Sequence, residues 1–418
     1  MNGRPRRIVV TGMGAVSSLG LGLEATWASA RAGKGGIEPH VFDPGPHGPR
    51  ANATPCALVE EDVVSALENA LGRRIGASLD PFSLFALMVA HEALSQAGLV
   101  GEDAGKDAFS SDRAAVVLGH GFAGIHTLEA AYERFYGLKT HKVHPMTVPR
   151  VMVSAPASAV AMEFAIRGPV FAVSSACASS GHAIAQGAAL IASGLADVAL
   201  VGGSEAIATP ACLRAWDALG AMSPSQCRPF SIGRDGMSLG EGAGAVVLEA
   251  LDHAQARGAA IQAELAGAGL SSDAFHWTQP SLEGAVSSMT TALRDARALE
   301  ESSILIAAHG TGTPLNDKNE AAAIHSVFGK HALDHPVIAT KSAHGHLIGA
   351  ASAVQGVIGL LALAHREAPP ILNWLGPDPE CELDLVTGQA RPIKAETLLL
   401  NAFAFGGLNT SLVFRRWT

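Results

Sequence analysis

Four short segments of the 418-residue chain hold the side chains best suited to nucleophilic and proton-transfer chemistry. The first, Val170–Gly194, has the sequence VFAVSSACASSGHAIAQGAALIASG. An apolar strand, Val170–Val173, leads through small residues to Cys177 and into an Ala-rich helix. That helix stops at Gly194, glycine being the common residue just past a helix end. A thiol at a helix N-terminus meets unpaired N–H groups and the positive end of the dipole, which lowers its pKa. Ala176, Ala178, Ser179 and Ser180 leave room for a substrate. Taken alone, the segment also suits a cysteine that is simply a small buried residue. The second segment, Ile304–Pro314 (ILIAAHGTGTP), is a strand ending at His309 before a tight Gly/Thr turn. The third, Val337–Gly349 (VIATKSAHGHLIG), is a strand ending at Lys341 with His344 and His346 behind it. Active sites of layered α/β proteins gather at such strand exits. A neutral imidazole there donates to a developing oxyanion or exchanges a proton near neutral pH. The fourth, Leu398–Asn409 (LLLNAFAFGGLN), sets Phe403 and Phe405 in a Gly-rich turn. Their rings serve either as packing or as a movable wall beside a pocket, with Gly406 and Gly407 supplying freedom.

Other chemistries fit these residues less well. His344-x-His346 plus a cysteine is conceivable as a zinc site, but paired ligand spacings are missing and no nearby carboxylate offers a fourth ligand. No metal is expected. Gly12-Met-Gly14 follows a strand, yet the third glycine of a dinucleotide fingerprint is absent, its place being Ser17. No phosphate-binding P-loop occurs.

The elements that must position these groups alternate in type. Short β-branched or apolar runs at Arg7–Val10, Ala114–Leu118, Val170–Val173, Val198–Val201 and Ala245–Leu248 resemble strands buried on both faces. Ile261–Leu265, Ile304–Ala307, Val337–Ala339, Thr397–Leu400 and Ser411–Phe414 repeat the style. Ala-rich segments with helical spacing lie between them, at Phe82–Ala97, His182–Ser193, Leu282–Ala298 and Ala350–Ala364. This pattern implies a layered α/β fold. About five strands precede residue 255 and five follow it, which suggests a duplication into halves 1–255 and 256–418. No Pro- or Ser-rich linker separates them, so the halves pack together. Phe42–Pro55 is expected to be a surface loop.

Composition narrows the class. Lys and Arg number 29 against 38 Asp and Glu, a net charge of −9, and only 16% of residues are charged. Glycines (46) and alanines (76) together fill 122 positions with at most a methyl group. The chain is too apolar for disorder and lacks the basic runs of a nucleic-acid binder. The uncharged stretch Gly168–Ala196 contains several Ser and Gly, His182 and Gln186, so no membrane span is expected. The N-terminus lacks a signal-peptide core. Five scattered cysteines with no C-x-x-C pair suit a reduced, cytoplasmic protein. The low charge points to a large face buried against another subunit.

Taken together, the segments resemble the β-ketoacyl-[acyl-carrier-protein] synthases, the elongating condensing enzymes of fatty acid and polyketide assembly. The likeness runs through VVTGMGAVSSLG (9–20), SSACASSGHA, RPFSIGRDGMSLGEGAGAVVLE (228–249), HGTGTP, KSAHGHLIGA and NAFAFGGLN. It implies the thiolase fold, five layers in the order α-β-α-β-α built from two similar halves, and a dimer. It implies that Cys177 carries the acyl chain, with the N–H groups of Cys177 and Phe405 as oxyanion hole. His309 and His346 would assist decarboxylation, and Lys341 would support them. Thr311 and Thr313 would bind the phosphopantetheine arm, and Phe405 would gate the site beside Phe403. Substrates would ride on acyl carrier protein, with no other cofactor. The partner subunit would be a second copy or a related ketosynthase subunit.

Two relatives of the family are less compatible. A non-catalytic chain-length subunit lacks the nucleophile that is present here, and a thiolase needs a second cysteine in a Gly-rich turn, whereas Cys381 lies in a polar stretch. The sequence also departs from the family pattern. Gln355 stands where a Glu is usual, His344 is added, AFAFGGLN replaces SFGFGGTN, and Phe122 in GHGFAG falls at the acyl-pocket floor. These departures favour a specialised pathway, such as aryl polyene assembly, over housekeeping elongation. Arg73 and Arg74 match the region where the family places carrier-contacting cations.

Overall fold

Strands covered by helices on both sides need no polar face. Ala114–Gly119 (AAVVLG) and Thr397–Ala404 (TLLLNAFA) are buried at every position. The computed structural model describes residues 6–42, 53–61, 63–65, 79–101, 110–140 and 142–418. All ten expected strands form, as β1 (Ile8–Ser17), β2 (Ala114–Gly119), β3 (Val170–Val173), β4 (Val198–Glu205), β5 (Gly242–Ala250), β6 (Ala263–Ser272), β7 (Leu305–Ala307), β8 (Pro336–Ile338), β9 (Thr397–Ala404) and β10 (Leu408–Arg416).

The strands lie in the order β3-β2-β4-β5-β1 and then β6-β10-β9-β7-β8. Apart from the two-residue strand Asp384–Leu385, which pairs with the outer side of β8, each half read from β3 or β8 inward has the third, second, fourth, fifth and first of its own strands. The pairing sense repeats as well. β2 runs parallel to β3 and β4, while β4–β5 and β5–β1 are antiparallel. Likewise β7 runs parallel to β8 and β9, while β9–β10 and β10–β6 are antiparallel. The half-sheets are not separate. Ile8–Val10 pairs with Ala263–Leu265, so one hydrogen-bonded sheet runs through both halves.

The main helices are α1 (Pro81–Gln96), α2 (Ala155–Glu163), α3 (Ser179–Ala192), α4 (Pro210–Ala218), α5 (Leu282–Asp295), α6 (Pro314–Phe328) and α7 (Ala351–His365). Alternation along the strands builds five layers. Ala199 and Val201 of β4 face a central core with Ile184 and Ile191 of α3, whereas Val198 and Leu200 face α1. Leu398 and Leu400 of β9 face the same central core with Val357 and Leu361 of α7, whereas Leu399 faces Met289 and Leu293 of α5. Helices α3 and α7 are thus the middle layer, and both start at the site described below.

Small residues let these layers close. A Cβ on Gly12 would lie 2.0 Å from the Ala93 carbonyl oxygen, and one on Gly14 would lie 2.3 Å from that of Val89. The Gly12-x-Gly14 pair therefore seats α1 on β1. Ile348–His365 is long and apolar enough to cross a membrane by length and composition, but 89% of it is buried inside the protein. It is a core helix.

Some expected boundaries shift. β8 ends at Ile338, and Lys341–His344 form a single helical turn. Thr54–Pro55, expected in a loop, begin a strand (Thr54–Ala57) paired with Glu38–His40 and Leu239–Gly240. Most of the expected loop, residues 43–52, lies outside the described residues.

Candidate active site

Cys177 sits at the bend between β3 and α3, two residues before the helix begins. Ala176 ahead of it has φ of 50°, a left-handed conformation uncommon without glycine. The bend is held locally. Ser175 N–H donates to Ser179 Oγ at 2.9 Å, and that hydroxyl donates to the Ala176 carbonyl at 2.6 Å. The thiol is buried among Leu213, Trp216, Met237 and Ile348. The sequence led us to expect a lowered thiol pKa; burial instead pushes it up to about 11. The positive charge of Lys341 and the N–H groups of Phe405 and Cys177 pull the other way without overcoming the apolar surroundings.

His309 leaves β7 and His346 follows the turn after β8, and both are buried. Their rings meet edge to face at 5.4 Å between centroids. Burial, with Lys341 close by, holds both imidazoles well below the usual histidine range. They are therefore neutral at pH 7, and their tautomers follow from their partners. Ile348 N–H donates to His346 Nδ1 at 3.2 Å, which puts the ring proton on Nε2. That Nε2 is buried and has no partner among the described residues. For His309, Lys341 Nζ stands 3.4 Å from Nδ1 as a donor, which again leaves Nε2 to carry the proton.

Lys341 is fully buried. Its ammonium donates to the His309 carbonyl and, at 2.9 Å, to Gln355 Oε1. Gln355, on α7, donates its own Nε2 to the carbonyls of Ala307 (2.9 Å) and Ala308 (2.7 Å). An amide can do both jobs, whereas an ionised carboxylate would turn lone pairs toward those carbonyls. Burial lowers Lys341 to about 8. Glu320 of α6 accepts the N–H groups of His309 (2.7 Å) and Gly310 (2.8 Å), fixing the backbone beneath the ring.

These groups border one cavity of about 270 Å³, lined by Cys177, His309, His346, Thr311, Thr313, Phe403 and Phe405 among others. The Thr311 and Thr313 hydroxyls are 2.9 Å apart on its wall. Phe405 is in the β9–β10 turn with Gly406 and Gly407, both at positive φ. Phe403, expected in that turn, belongs to β9 and packs edge-on against His309 at 6.1 Å. Lys341 and Gln355 stand behind the histidines. Phe122 is one ring removed from the lining: it contacts Trp216 at 6.2 Å, and Trp216 stacks on Phe405 at 6.3 Å. His344 is occupied elsewhere, with Nδ1 on the Gly345 carbonyl and Nε2 on the Thr340 hydroxyl. Among the described residues no group of three or more His, Cys, Asp or Glu could hold a metal ion. Arg73 and Arg74 lie outside the described residues.

Sequence reasoning missed Trp216, Glu320 and Glu205. Glu205 carried a signal: it is a carboxylate closing the otherwise uncharged strand VALVGGSE. It is fully buried, and burial raises it to about 8 against three backbone N–H donors.

Comparison with known proteins agrees with this geometry. Residues 5–254 match the beta-ketoacyl synthase N-terminal domain and residues 262–374 the C-terminal domain. Nodulation protein E of Rhizobium meliloti (strain 1021) is 41% identical over 411 residues, covering 98% of this chain and 99% of that protein. The 3-oxoacyl-[acyl-carrier-protein] synthase 2 of Coxiella burnetii is 37% identical over 422 residues, with 98% and 99% covered. Among solved structures, the ishigamide ketosynthase/chain length factor superposes with a TM-score of 0.89 at 32% identity, covering 99% of this chain and 100% of that one. A type II polyketide ketosynthase in complex with its acyl-carrier protein gives 0.88 at 30%, again with 99% and 100% covered. The chain belongs to the β-ketoacyl synthase family, with the thiolase fold of that family, and is an acyltransferase of the 3-oxoacyl-[acyl-carrier-protein] synthase class.

Proposed function

We propose that this protein is the catalytic subunit of a specialised elongating ketosynthase, with Cys177 as nucleophile and His309 and His346 as the decarboxylation pair. The observation that carries the proposal is their convergence in one cavity with the Phe405 N–H on the thiol. Residues 1–255 then supply the nucleophile, and residues 256–418 the histidines and the gating turn.

The first step is attack of Cys177 sulfur on an acyl thioester of a carrier protein. The carbonyl oxygen takes up negative charge against the N–H groups of Cys177 and Phe405. The carrier thiol leaves with the thiol proton, and the acyl group stays on sulfur. A malonyl thioester then enters along Thr311 and Thr313. Its carbon–carboxylate bond breaks, carbon dioxide leaves, and the electron pair becomes an enolate. The Nε2–H groups of His309 and His346 donate to the enolate oxygen, for which neutral rings with fixed tautomers are suited. The enolate carbon attacks the acyl-cysteine, sulfur leaves as a thiolate that takes a proton from water, and a β-ketoacyl thioester results. The thioester and the lost carboxylate drive the sequence, so this scheme draws on no further cofactor. Lys341 holds His309 in place, Phe405 acts as gate, and Phe122 and Phe403 shape the acyl pocket.

Two surfaces enter the proposal. Tyr132, Tyr136, Val148, Met152 and Phe171 are exposed apolar residues, Phe171 lying on β3, the last strand of the sheet among the described residues. They suit a second copy or a related subunit, as in the solved ketosynthase/chain length factor. An acidic chain must meet an acidic carrier through a local basic patch, for which Arg73 and Arg74 are our candidates. The departures at Gln355, His344 and Phe122, with the higher identity to Nodulation protein E, favour a dedicated pathway of the aryl-polyene kind.

The test is intact-mass measurement with short, long and polyunsaturated acyl-carrier thioesters. Wild type gains the acyl mass and Cys177→Ala does not; no acylation by any donor overturns the proposal. Condensation with malonyl-carrier protein without free coenzyme A separates it from a thiolase. Replacing Arg73 and Arg74 with Glu should weaken carrier binding about tenfold and leave Cys177 alkylation intact; unchanged affinity removes them from the docking surface.

A further inference from the structure

Glu205 ends β4 inside the protein and is not among the residues lining the cavity. Its Oε2 accepts the N–H groups of Gly121 (2.7 Å) and Gly349 (2.9 Å), and its Oε1 accepts that of Phe122 (3.2 Å). One carboxyl group thus joins the end of β4, the turn after β2 and the turn between His346 and α7. The surroundings are shaped to admit it. A Cβ on Gly349 would lie 2.7 Å from Glu205 Oε2 and 2.1 Å from Gly121 N, and one on Gly121 would lie 2.9 Å from the same oxygen.

Ile348, next to Gly349, has φ of 42°. A β-branched residue takes that left-handed conformation only where its surroundings impose it. Yet this is the residue whose N–H donates to His346 Nδ1. The peptide that fixes the ring and its tautomer is therefore a strained one, and the next N–H along the chain is held by Glu205.

We propose that Glu205 is a positioning residue for His346. By clamping the Gly349 N–H it keeps Ile348 left-handed, keeps Ile348 N–H on Nδ1, and so keeps the Nε2–H in the cavity. The same carboxyl group also holds the turn that carries Phe122, so the acyl side of the pocket and the malonyl side share one support. The proposal rests on the reading of His346 as a decarboxylation donor.

The experiment follows carbon dioxide release from malonyl-carrier protein, with Cys177 alkylation as an independent check on the nucleophile. Glu205→Ala should lower kcat for decarboxylation about 100-fold, with KM and alkylation within about threefold of wild type. Glu205→Gln, which keeps an oxygen for Gly349, should stay within about fivefold of wild type. The decisive variant is Glu205→Ala with Ile348→Gly. Glycine adopts a φ near 42° without strain, so the double variant should recover about tenfold over Glu205→Ala. A role limited to filling the core predicts no such rescue. Wild-type kcat in folded Glu205→Ala, or no rescue by Ile348→Gly, overturns the proposal. If Glu205→Ala does not accumulate, Glu205→Asp replaces it. Its carboxylate falls one methylene short of Gly349, so the same loss and rescue are expected, and wild-type rates overturn the proposal. Absence of decarboxylation in wild type, or its persistence in His346→Ala, would fault the reading of His346 instead.

Discussion

The turn after β2 and the turn after β7 occupy the same place in the two halves, and each starts with a buried histidine. His120 has its Nδ1 on the Ser204 carbonyl at 2.8 Å, its ring edge-on to Phe82 at 5.4 Å, and is not among the residues lining the cavity. Burial lowers it to about 4. His309 is equally buried, but its ring packs against His346 and Phe403 at the cavity and has Lys341 at its Nδ1. Neither burial, nor neutrality, nor a strand exit separates the two. The difference is convergence. The turns after β7 and β8 bring two imidazoles and a lysine together opposite the thiol supplied by the turn after β3. A duplicated topology offers each set of exits twice, and here one half places the thiol of Cys177 in the cavity while the other places the two imidazoles.

The sharpest way to break this comparison is to remove each histidine in turn. His309→Ala should cut decarboxylation of malonyl-carrier protein by about 10²–10⁴-fold, the usual range for a positioned acid–base or oxyanion group. His120→Ala should leave that rate within about threefold. It should instead cost roughly 1–3 kcal/mol of stability, because the Ser204 carbonyl loses its buried partner. A melting curve and a rate measurement on each variant decide the matter. If His120→Ala lost decarboxylation as severely as His309→Ala while folded, the half-to-half distinction would fail.

That distinction was only partly legible in the sequence. Cys177, His309 and His346 could be picked out because each lies where an apolar strand gives way to a turn or a helix start, a pattern that survives without knowing the tertiary fold. The ten strands were visible because most of them are apolar runs covered on both faces, as in Ala114–Gly119 and Thr397–Ala404. The sign of the thiol shift was not legible. Position at a helix start favours the thiolate, whereas the apolar side chains that outweigh it, Leu213 and Ile348 among them, come from distant parts of the chain. Glu320 and Glu205 escaped because they act on backbone N–H groups, which spacing along the sequence does not reveal. Trp216 reaches the cavity from α4, outside every motif the sequence offers. Phe403 was misplaced because a turn rich in glycine does not tell which of two phenylalanines still belongs to the strand.

A smaller effect tests how the half that holds the histidines serves the thiol of the other. The Lys341 charge favours the thiolate, and Lys341 loses its proton at about 8. Its help is therefore fully present near pH 7 and below and fades as the pH rises through 8. Lys341→Met should slow iodoacetamide alkylation of Cys177 about three- to tenfold at pH 7, with the gap closing above pH 9; one pKa unit corresponds to a factor of ten. Gln355→Glu should act in the other direction by giving the lysine an anion, so that its help persists to higher pH. The carbonyls of Ala307 and Ala308 would then lose amide donors, at about 1–3 kcal/mol in stability. Parallel pH profiles for wild type and Lys341→Met would mean that the thiol is insensitive to the opposite half.

The smallest expected effect concerns the wall that both halves build. Phe122, from the first half, supports Trp216, which stacks on Phe405 of the second. Phe405 also carries an N–H on the thiol. Truncating Phe122 removes a ring one layer behind the lining, so space opens without disturbing a group that acts on the reacting atoms. Phe122→Ala should raise acylation by longer chains relative to shorter ones by about tenfold, in keeping with the 1–3 kcal/mol that a methylene commands in an apolar pocket. Decarboxylation, which depends on the other side of the cavity, should change by less than about threefold. Competition between two acyl-carrier thioesters, read by intact mass on Cys177, gives the ratio directly. An unchanged ratio would mean that Trp216 alone sets the wall, and the two halves would then be coupled through the tryptophan without reaching back to the turn that Glu205 holds.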